Sequence, residues 1–336
     1  MSFTSKPSPE FIGLLKRAGS ANKAEALVAQ HELAKAIELP LREGVLVGDI
    51  AGGIFERITM EPGTSTEFPL DLLSPGQEDE FVAYTNPGNG RVPERTVEGD
   101  YVMIPTYSVT NAIDMFLRYV REARWDVVSR AARVLEAGFV KKMNDDGWHT
   151  ILAAGVDRNV LVYDADAAAG QFTKRQISLM KSVMRRNAGG NSASMNRGRL
   201  TDVYLSPEGL EDIRNWGVDQ ADETTRREIY LSADDGGAIT RIFGVNLNAL
   251  DELGQSQEYQ NYFTSNLSGT LGPSSDVELV VGLDLAASDS FVMPVKQEVT
   301  VFEDEALHRH QKMGFYGFAE IGFGVLDSRR VLLGSF

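Results

Sequence analysis

The best-spaced metal ligands in this sequence are His308 and His310, which follow the acidic run Glu303-Asp304-Glu305. Two histidines at positions i and i+2 of a strand share one face, and nearby carboxylates could complete a transition-metal site. The segment also falls where two long predicted strands turn, which favours a solvated polar hairpin tip. The alternative to a hairpin tip is a metal site in a soluble metal-dependent enzyme, with His308 and His310 as ligands; for the function of the chain this is the more distant alternative.

Other motifs that carry chemistry are weak or missing. Asp164 and Asp166 could suggest calcium, but they lack the glycine and the distal glutamate of a calcium loop, which favours a polar turn into a helix. Gly52-Gly53 and Gly189-Gly190 do not have the spacing of a dinucleotide fingerprint, and the sequence contains no nucleophile elbow or P-loop. We therefore expect no catalytic residue, no cofactor and no metal.

The composition is that of a globular protein. The chain has 336 residues, 43% of them hydrophobic and 24% charged, enough for two compact domains. No apolar run is long enough to cross a membrane, and the N-terminus does not resemble a signal peptide. Cysteine is absent, which excludes disulfides and thiolate sites. The net charge of -15 argues against a sequence-specific DNA-binding protein, which would usually be basic.

The first fifty residues have the pattern of an arm. Phe11, Leu14 and Leu15 recur at helical spacing, and a second helical segment follows until Pro40, which is predicted to end it. Ile54–Met60 and Tyr101–Val109 read as strands on either side of a stretch rich in glycine, proline and acids. We predict that these two strands form an extended hairpin that reaches another subunit, because so long a loop is unusual within one compact domain.

A long helix is predicted from Asn111 to Met143, with Thr110 and Asn111 as N-cap residues. It would be roughly 50 Å long at 1.5 Å per residue. Arginines, including Arg118, Arg121 and Arg130, fill the side opposite its apolar positions.

The remainder reads as mixed α/β. Predicted helices are Thr173–Arg186 and one that Ser206 caps with Pro207 at its first position. Predicted strands are Asn159–Tyr163, Asp202–Leu205, Ile239–Phe243, Val245–Leu247, Val277–Leu285, Phe291–Phe302, Met313–Val325 and Val331–Leu333. In the last long strand apolar residues alternate with Glu320, Gly322 and Gly324, which is the period of a strand.

This order of segments resembles that of the major capsid proteins of tailed double-stranded-DNA phages, whose fold is shared with encapsulins and herpesvirus capsid floors. Asp202–Trp216 resembles a strand–Ser-Pro-Glu–helix step of that family, Ile242–Val245 its next strand pair, and Phe323–Val331 its closing strands. The resemblance implies an α+β fold. Its parts would be an N-terminal arm (1–53), an extended loop (54–109), a spine helix with the start of the peripheral domain (110–154), an axial domain (155–292) and peripheral closing strands (293–336).

The implied function is structural. The chain would self-assemble into pentamers and hexamers of an icosahedral phage head, formed in the host cytoplasm and present in the virion. An encapsulin-like nanocompartment shell is the alternative. Implied partners are other copies of the chain, a separate scaffolding protein, a portal and, in some heads, a decoration protein. Packaged DNA would be enclosed without specific binding, which suits the net charge of -15, and no membrane is involved.

Two departures from the family refine this expectation. Only about fifty residues precede the extended loop, which argues against a large cleaved N-terminal segment. The loop Glu61–Gly99 contains no lysine, so the lysine–asparagine crosslink of certain relatives is not expected.

Charged residues are the predicted contacts between subunits. Acidic side chains of the loop would face basic side chains of the same loop or of a neighbour's long helix, although exposed ion pairs contribute only about 0–1 kcal/mol each. The acidic residues are Glu67, Asp71, Glu78, Asp79 and Glu80, and the basic residues are Arg91, Arg95, Arg118, Arg121 and Arg130.

Overall fold

The computed structural model describes residues 9–20, 22–48, 50–69, 101–122, 124–157, 159–187, 198–217, 241–267, 278–286, 290–304, 307 and 310–336. Contacts between Cα atoms divide the chain into two units. Unit 1 comprises Met1–Thr66, Met103–Gly147 and Val292–Gly324; unit 2 comprises Glu67–Val102, Trp148–Phe291 and Val325–Phe336.

Both helices and strands are present in the described ranges. The α-helices are α1 (Pro9–Ala18), α2 (Lys23–Gly48), α3 (Ile50–Ile54), α4 (Leu117–Arg121), α5 (Trp125–Asp157), α6 (Lys174–Asn187), α7 (Pro207–Arg214) and α8 (Glu258–Tyr262). The strands are β1 (Glu56–Thr59), β2 (Glu67–Pro69), β3 (Tyr101–Met103), β4 (Tyr107–Phe116), β5 (Leu161–Val162), β6 (Asp202–Leu205), β7 (Arg241–Ile242), β8 (Val245–Ala249), β9 (Leu279–Leu283), β10 (Phe291–Glu303), β11 (Lys312–Ile321), β12 (Gly324–Val325) and β13 (Val331–Ser335).

The sheet of unit 1 is built on the long hairpin of β10 and β11. Its strand order is β1-β10-β11-β4, and β12 also pairs with β10. β11 and β4 are antiparallel over ten residue pairs, from Lys312 opposite Phe116 to Ile321 opposite Tyr107. β1 pairs with β10 in parallel, with Glu56 opposite Val292. The sheet therefore ends at β4, whose first residues were predicted as a strand and whose residues from Asn111 onward were predicted as the start of the long helix.

Two helices of unit 1 form a buried pair. Leu33, Ile37, Leu41 and Val45 recur every four residues along α2 and are all buried, which is the apolar stripe of an amphipathic helix. α1 packs against α2, and the Gln30 side chain donates a hydrogen bond to the carbonyl of Ala18 at the end of α1 (3.0 Å). The two predicted helical segments are therefore confirmed as α1 and α2, and their role as an arm stays a prediction.

Unit 2 contains a six-stranded sheet with helices on both faces. Its strand order is β5-β13-β9-β6-β8-β7. Every residue of β9 and β13 is buried. Leu332 lies in one apolar cluster with residues of α6 and α7. The next residue, Leu333, lies on the other face against α5, where a Cβ on Gly155 would be 2.6 Å from Leu333 Cγ. Successive residues of β13 therefore point to opposite faces of the sheet, and each face packs against helices.

The predicted long helix starts in the wrong place. Tyr107–Phe116 is strand β4, and the long helix α5 runs from Trp125 to Asp157. Thr110 and Asn111 therefore cap no helix. The ten-residue ladder with β11 outweighs the helical spacing of the apolar residues, because it pairs the whole segment and buries Val109 and Met115 on one face.

Pro40 does not end its helix. α2 continues through Pro40 to Gly48. A proline inside a helix removes one backbone hydrogen bond. The buried stripe continues beyond it at Leu41 and Val45, and this tertiary packing keeps the segment helical.

The predicted hairpin has different strands from those expected. Ile54 ends α3, and β1 pairs with β10 rather than with Tyr101–Val109. Instead β2 pairs with β3, so the two arms of the excursion meet at Glu67–Pro69 and Tyr101–Met103. Residues 70–100 between these strands lie outside the described residues.

The other predicted elements are confirmed within a few residues. β6 has the predicted bounds, α6 is shifted by one residue, and β10 extends the predicted strand to Glu303. β11 ends at Ile321 rather than Val325, since Gly322 leaves the ladder and donates its N–H to the Pro294 carbonyl (3.0 Å). β5 is shorter than predicted because Asn159 has a positive φ of 51°.

Candidate functional site

The structure does not test the candidate metal pair, because only one of the two histidines is described. His308 lies outside the described residues, and His310 is exposed in the connection between β10 and β11. Among the described histidines, aspartates and glutamates, no group of three is arranged to hold a metal ion. His310 belongs to the predicted hairpin tip, next to Gln311 with a φ of 54°.

Asp164 and Asp166 form the predicted polar turn before α6. Asp164 Oδ2 accepts a hydrogen bond from Thr173 Oγ1 (2.8 Å), and Asp164 Oδ1 accepts one from Asp166 N (3.2 Å). The Arg175 guanidinium pairs with both carboxylates, at 3.4 Å from Asp164 Oδ1. The oxygens that would bind calcium are used to hold the start of α6.

The predicted contact residues lie on three separate elements where the structure describes them. Glu67 is exposed on β2, Arg118 and Arg121 are exposed on α4, and Arg130 is exposed on α5. The arginines therefore do not form a stripe on one continuous helix. Asp71, Glu78, Asp79, Glu80, Arg91 and Arg95 lie outside the described residues.

Two of these arginines already have contacts within unit 1. The Arg118 guanidinium lies over the rings of Phe116 (5.2 Å) and Tyr119 (4.8 Å). Arg121 Nε donates a hydrogen bond to the Gly19 carbonyl (3.2 Å). Arg121 thus holds the connection between α1 and α2 against α4. Arg118 instead packs over the rings of Phe116 and Tyr119.

One face of the unit 1 sheet exposes aromatic side chains. Phe302 on β10 and Tyr316 on β11 are directly opposite each other, and their rings stack with centroids 5.4 Å apart. Both side chains remain more than 40% exposed. Residues of β4 on the same face, such as Ala112, are also exposed. An aromatic pair exposed on a sheet face is a candidate interaction surface.

Two titratable groups of unit 1, Tyr107 and Glu136, have raised pKa values. Tyr107 O–H donates to Asp146 Oδ2 (2.7 Å), and Lys142 Nζ contacts Asp146 Oδ1 (2.7 Å). Burial, together with the Asp146 charge, raises the pKa of Tyr107. Burial also raises the pKa of Glu136 on α5, whose carboxylate lies so close to α2 that a Cβ on Gly44 would clash with it.

Unit 2 carries an internal polar network at the start of α7. Ser206 Oγ accepts a hydrogen bond from Gly209 N (3.1 Å), as predicted for an N-cap, and also contacts the Glu278 carboxylate. Burial, followed by repulsion from Glu208 and Asp212, raises the pKa of Glu278. Burial and the Glu211 charge likewise raise the pKa of Asp212.

A strongly buried ion pair of unit 2 lies just before β13. Arg329 Nε and Nη2 lie 2.8 Å and 3.0 Å from the two carboxylate oxygens of Asp327. Both side chains are at most 10% exposed. This local pair fixes the short turn before β13.

Comparison with known proteins identifies the fold through structure alone. No family model matches the sequence, and the curated proteins contain no match to it. Solved structures do match. The capsid asymmetric unit of cyanophage Pam1 has a TM-score of 0.59 at 13% identity and covers 84% of this chain and 88% of its own. This chain has the phage capsid fold. The capsid of an empty GTA particle has a TM-score of 0.54 at 13% identity and covers 86% of this chain and 90% of its own. The capsid of cyanophage P-SCSP1u has a TM-score of 0.52 at 13% identity and covers 84% of this chain and 86% of its own.

The capsid fold confirms the predicted α+β class. The matched proteins are capsid proteins by description, not enzymes. The described helices include none that is both long enough and apolar enough to span a membrane.

Sequence analysis of this capsid fold missed one residue, Phe243. It lies between β7 and β8 with a φ of 51° and is 55% exposed. The sequence Ile242-Phe243-Gly244-Val245 was recognised as a strand pair around Gly244. The available signal was the Phe-Gly dipeptide. Two-residue hairpin turns favour Asn-Gly or Asp-Gly, so a phenylalanine before the glycine of such a turn is unusual.

Proposed function

We propose that this chain is the structural subunit of an icosahedral phage head and that it self-assembles into pentamers and hexamers around double-stranded DNA. The observation that carries the proposal is the extent of the capsid fold, which covers 84% of this chain and 88% of the Pam1 capsid chain. A match that is nearly complete in both directions supports a role for the chain as a whole rather than for one of its domains. The proposed role is assembly and containment, without catalytic turnover.

The proposed partners follow from that role. The chain would contact other copies of itself, a separate scaffolding protein and a portal, and some heads would add a decoration protein. Packaged DNA would be enclosed without specific binding, since a net charge of -15 opposes general attraction to phosphates. The location would be the virion shell after assembly in the bacterial cytoplasm.

Electron microscopy and light scattering of the purified full chain test this function. We expect closed shells or capsomer rings, either from the chain alone or on co-expression with the scaffolding protein of the same phage. A chain that stays monomeric or dimeric in both conditions would contradict the proposal.

The acidic loop residues would give neighbouring subunits their electrostatic register, with Glu67, Asp71, Glu78, Asp79 and Glu80 facing basic residues of a neighbour. Arg118 and Arg130 are exposed and suit this role, whereas Arg121 already bonds to Gly19. Replacing Glu78, Asp79 and Glu80 by lysine should impair assembly without unfolding the subunit. Normal particles from that variant, with an unchanged circular dichroism spectrum, would remove this detail and leave the shell function intact.

A further inference from the structure

The turn between β7 and β8 contains an aromatic residue that neither backbone preference nor burial explains. Ile242 and Val245 pair directly, so Phe243 and Gly244 form a two-residue turn with φ values of 51° and 77°. Such a turn favours Asn-Gly or Asp-Gly, and a bulky residue with positive φ is an outlier. The Phe243 side chain is nevertheless 55% exposed. Local strain of this kind is a reason to look for function.

Basic groups surround this turn. Lys181 on α6 donates a hydrogen bond from Nζ to the Phe243 carbonyl (2.7 Å). Arg185 is one helical turn further along α6, and Arg241 precedes the turn; both are exposed. We call Phe243 with Lys181, Arg185 and Arg241 the aromatic knob. An exposed aromatic ring among cations is the kind of residue set that dominates binding energy in protein interfaces.

Unit 2 also has an apolar pocket of about 250 Å³. This volume lies below the roughly 300–1,000 Å³ of typical small-molecule sites, so it suits a single inserted side chain. Asp164 lines the pocket, and Asp166 beside it is 73% exposed; together they outnumber Arg175, their cation partner. The pocket is also lined by Tyr163, Ala165, Ala167, Ala168, Ser335 and Phe336.

The knob and the pocket lie at opposite corners of one sheet. β7 is one edge strand and β5 the other, five strand spacings or roughly 24 Å apart. β8, β6, β13 and β5 run in the same direction. The turn precedes β8, whereas Tyr163 follows β5 and Phe336 ends the chain after β13, so the two features lie at opposite ends of the strands.

Two different, complementary surfaces on one subunit fit a head-to-tail contact rather than a two-fold one. Head-to-tail contacts close into rings when the rotation between copies is suitable. The occupant that the charges favour is a second copy, because the positive knob matches the acidic rim of the same chain's pocket. A small molecule would need no aromatic knob.

We propose that Phe243 of one copy inserts into the pocket beside Phe336 of a second copy, and that repetition of this contact closes the copies into rings. The inference rests on the proposed shell function, since it assigns the contact that would hold each capsomer. Of the two rim carboxylates, Asp166 is the exposed one, and it would face the cations of the incoming knob.

Removing the knob tests the contact without endangering the fold. Phe243→Gly relieves a positive φ, so its melting temperature should equal or exceed that of the wild type. Sedimentation of the full chain should show self-association weakened at least about tenfold. Ser256→Gly is the matched control, because Ser256 is an exposed residue of unit 2 with a φ of 63°. It should leave self-association unchanged.

Filling the pocket tests the other half. Ala168 is exposed, so Ala168→Trp should fold and yet weaken self-association as strongly as Phe243→Gly. A mixture of the two variants retains one intact knob and one intact pocket, and should form one-to-one complexes that neither variant forms alone. Unchanged association of both variants would overturn the inference. Loss with Phe243→Gly alone would show that the knob binds elsewhere.

These outcomes are separate from those of the shell proposal. If the wild type and Phe243→Gly both form normal shells, the knob contact is refuted and the proposed shell function stands. A wild-type chain that never forms shells, but whose weak self-association still depends on Phe243, would refute the function and keep the contact.

Discussion

The sheets of the two units differ in how they are covered. In unit 2, β9 and β13 are buried along their whole length, and helices cover both faces. In unit 1, β4 is exposed at most of its positions, and Phe302 and Tyr316 present stacked rings to solvent. An antiparallel sheet can leave one face to solvent, so exposure of this face does not by itself mean that the sheet is unstable. The exposed rings nevertheless make the face of unit 1 a candidate interaction surface.

The two units also place their interaction features differently. Unit 1 offers a face, formed by residues on three neighbouring strands. In the described part of unit 2, the candidate features are the knob at Phe243 and the pocket at Phe336, which lie at opposite corners of the sheet. Mutations should therefore affect folding most strongly inside unit 2 and least on the exposed face of unit 1.

The largest effect on stability should come from the buried ion pair of unit 2. Arg329→Ala removes the guanidinium that contacts both carboxylate oxygens of Asp327, and removal of one partner from a buried pair costs about 3–5 kcal/mol. Urea unfolding measures this loss. Arg17→Ala, which breaks an exposed pair with Glu32 in unit 1, is the control and should cost no more than about 1 kcal/mol. Equal losses in the two variants would show that the buried ion pair of unit 2 contributes no more to stability than the exposed pair of unit 1.

Close packing within unit 1 can be tested at Gly322. A Cβ there would lie 2.6 Å from the Pro105 carbonyl oxygen, which is backbone and cannot move aside. Gly322→Ala should lower the free energy of unfolding by about 1–3 kcal/mol. Gly53→Ala in α3, where a Cβ would meet no atom within 4 Å, should instead raise it by up to about 1 kcal/mol. A neutral Gly322→Ala would show that the half-covered sheet is loosely packed throughout.

The sequence predicted best those elements whose signals are local. The strand Asp202–Leu205 and the Ser206 cap depend on a short apolar run and on one hydroxyl, and both are confirmed. The start of the long helix was wrong because Tyr107–Phe116 has apolar residues at both helical and strand spacings. Only its ladder with β11, about two hundred residues away, decides between them. The same long-range pairing gives β1 a partner in β10 that no local pattern could indicate.

The candidate interaction surfaces were harder to predict. Charge patterning singled out Arg118, Arg121 and Arg130, but it could not show that they lie on two helices or that Arg121 bonds to Gly19. Exposure of Phe243 and the shape of the pocket beside Phe336 depend on which strands lie at the sheet edges. The sequence pattern placed the turn at Gly244 and Phe243 in a strand, whereas the positive φ shows that Phe243 belongs to the turn.

The exposed face of unit 1 should tolerate change in the isolated subunit. Tyr316→Thr keeps a residue that favours strands but removes the ring stacked on Phe302. Loss of one cross-strand pair should cost about 0.5–1 kcal/mol in urea unfolding. The larger consequence is expected in assembly, measured as particle yield. A loss of several kcal/mol would mean that the face is part of the core of unit 1.

The smallest effect concerns Glu278, and its sign depends on pH. Its pKa is raised above 4.5, chiefly by burial and further by Glu208 and Asp212, so the folded state holds this proton more tightly than the unfolded chain does. The resulting stabilisation is fully present below pH 4.5 and is lost as the pH rises through the folded-state pKa. Glu278→Gln keeps a neutral polar group beside Ser206 at every pH. The variant should therefore gain stability relative to the wild type between pH 4.5 and pH 7, as measured by urea unfolding at both values. The gain should be modest, because one pKa unit corresponds to only about 1.4 kcal/mol and the carboxyl group is half-buried. A relative loss over this range would show that the Ser206 hydrogen bond to the charged carboxylate outweighs burial, and that the polar network of unit 2 is less sealed from solvent than its sheet.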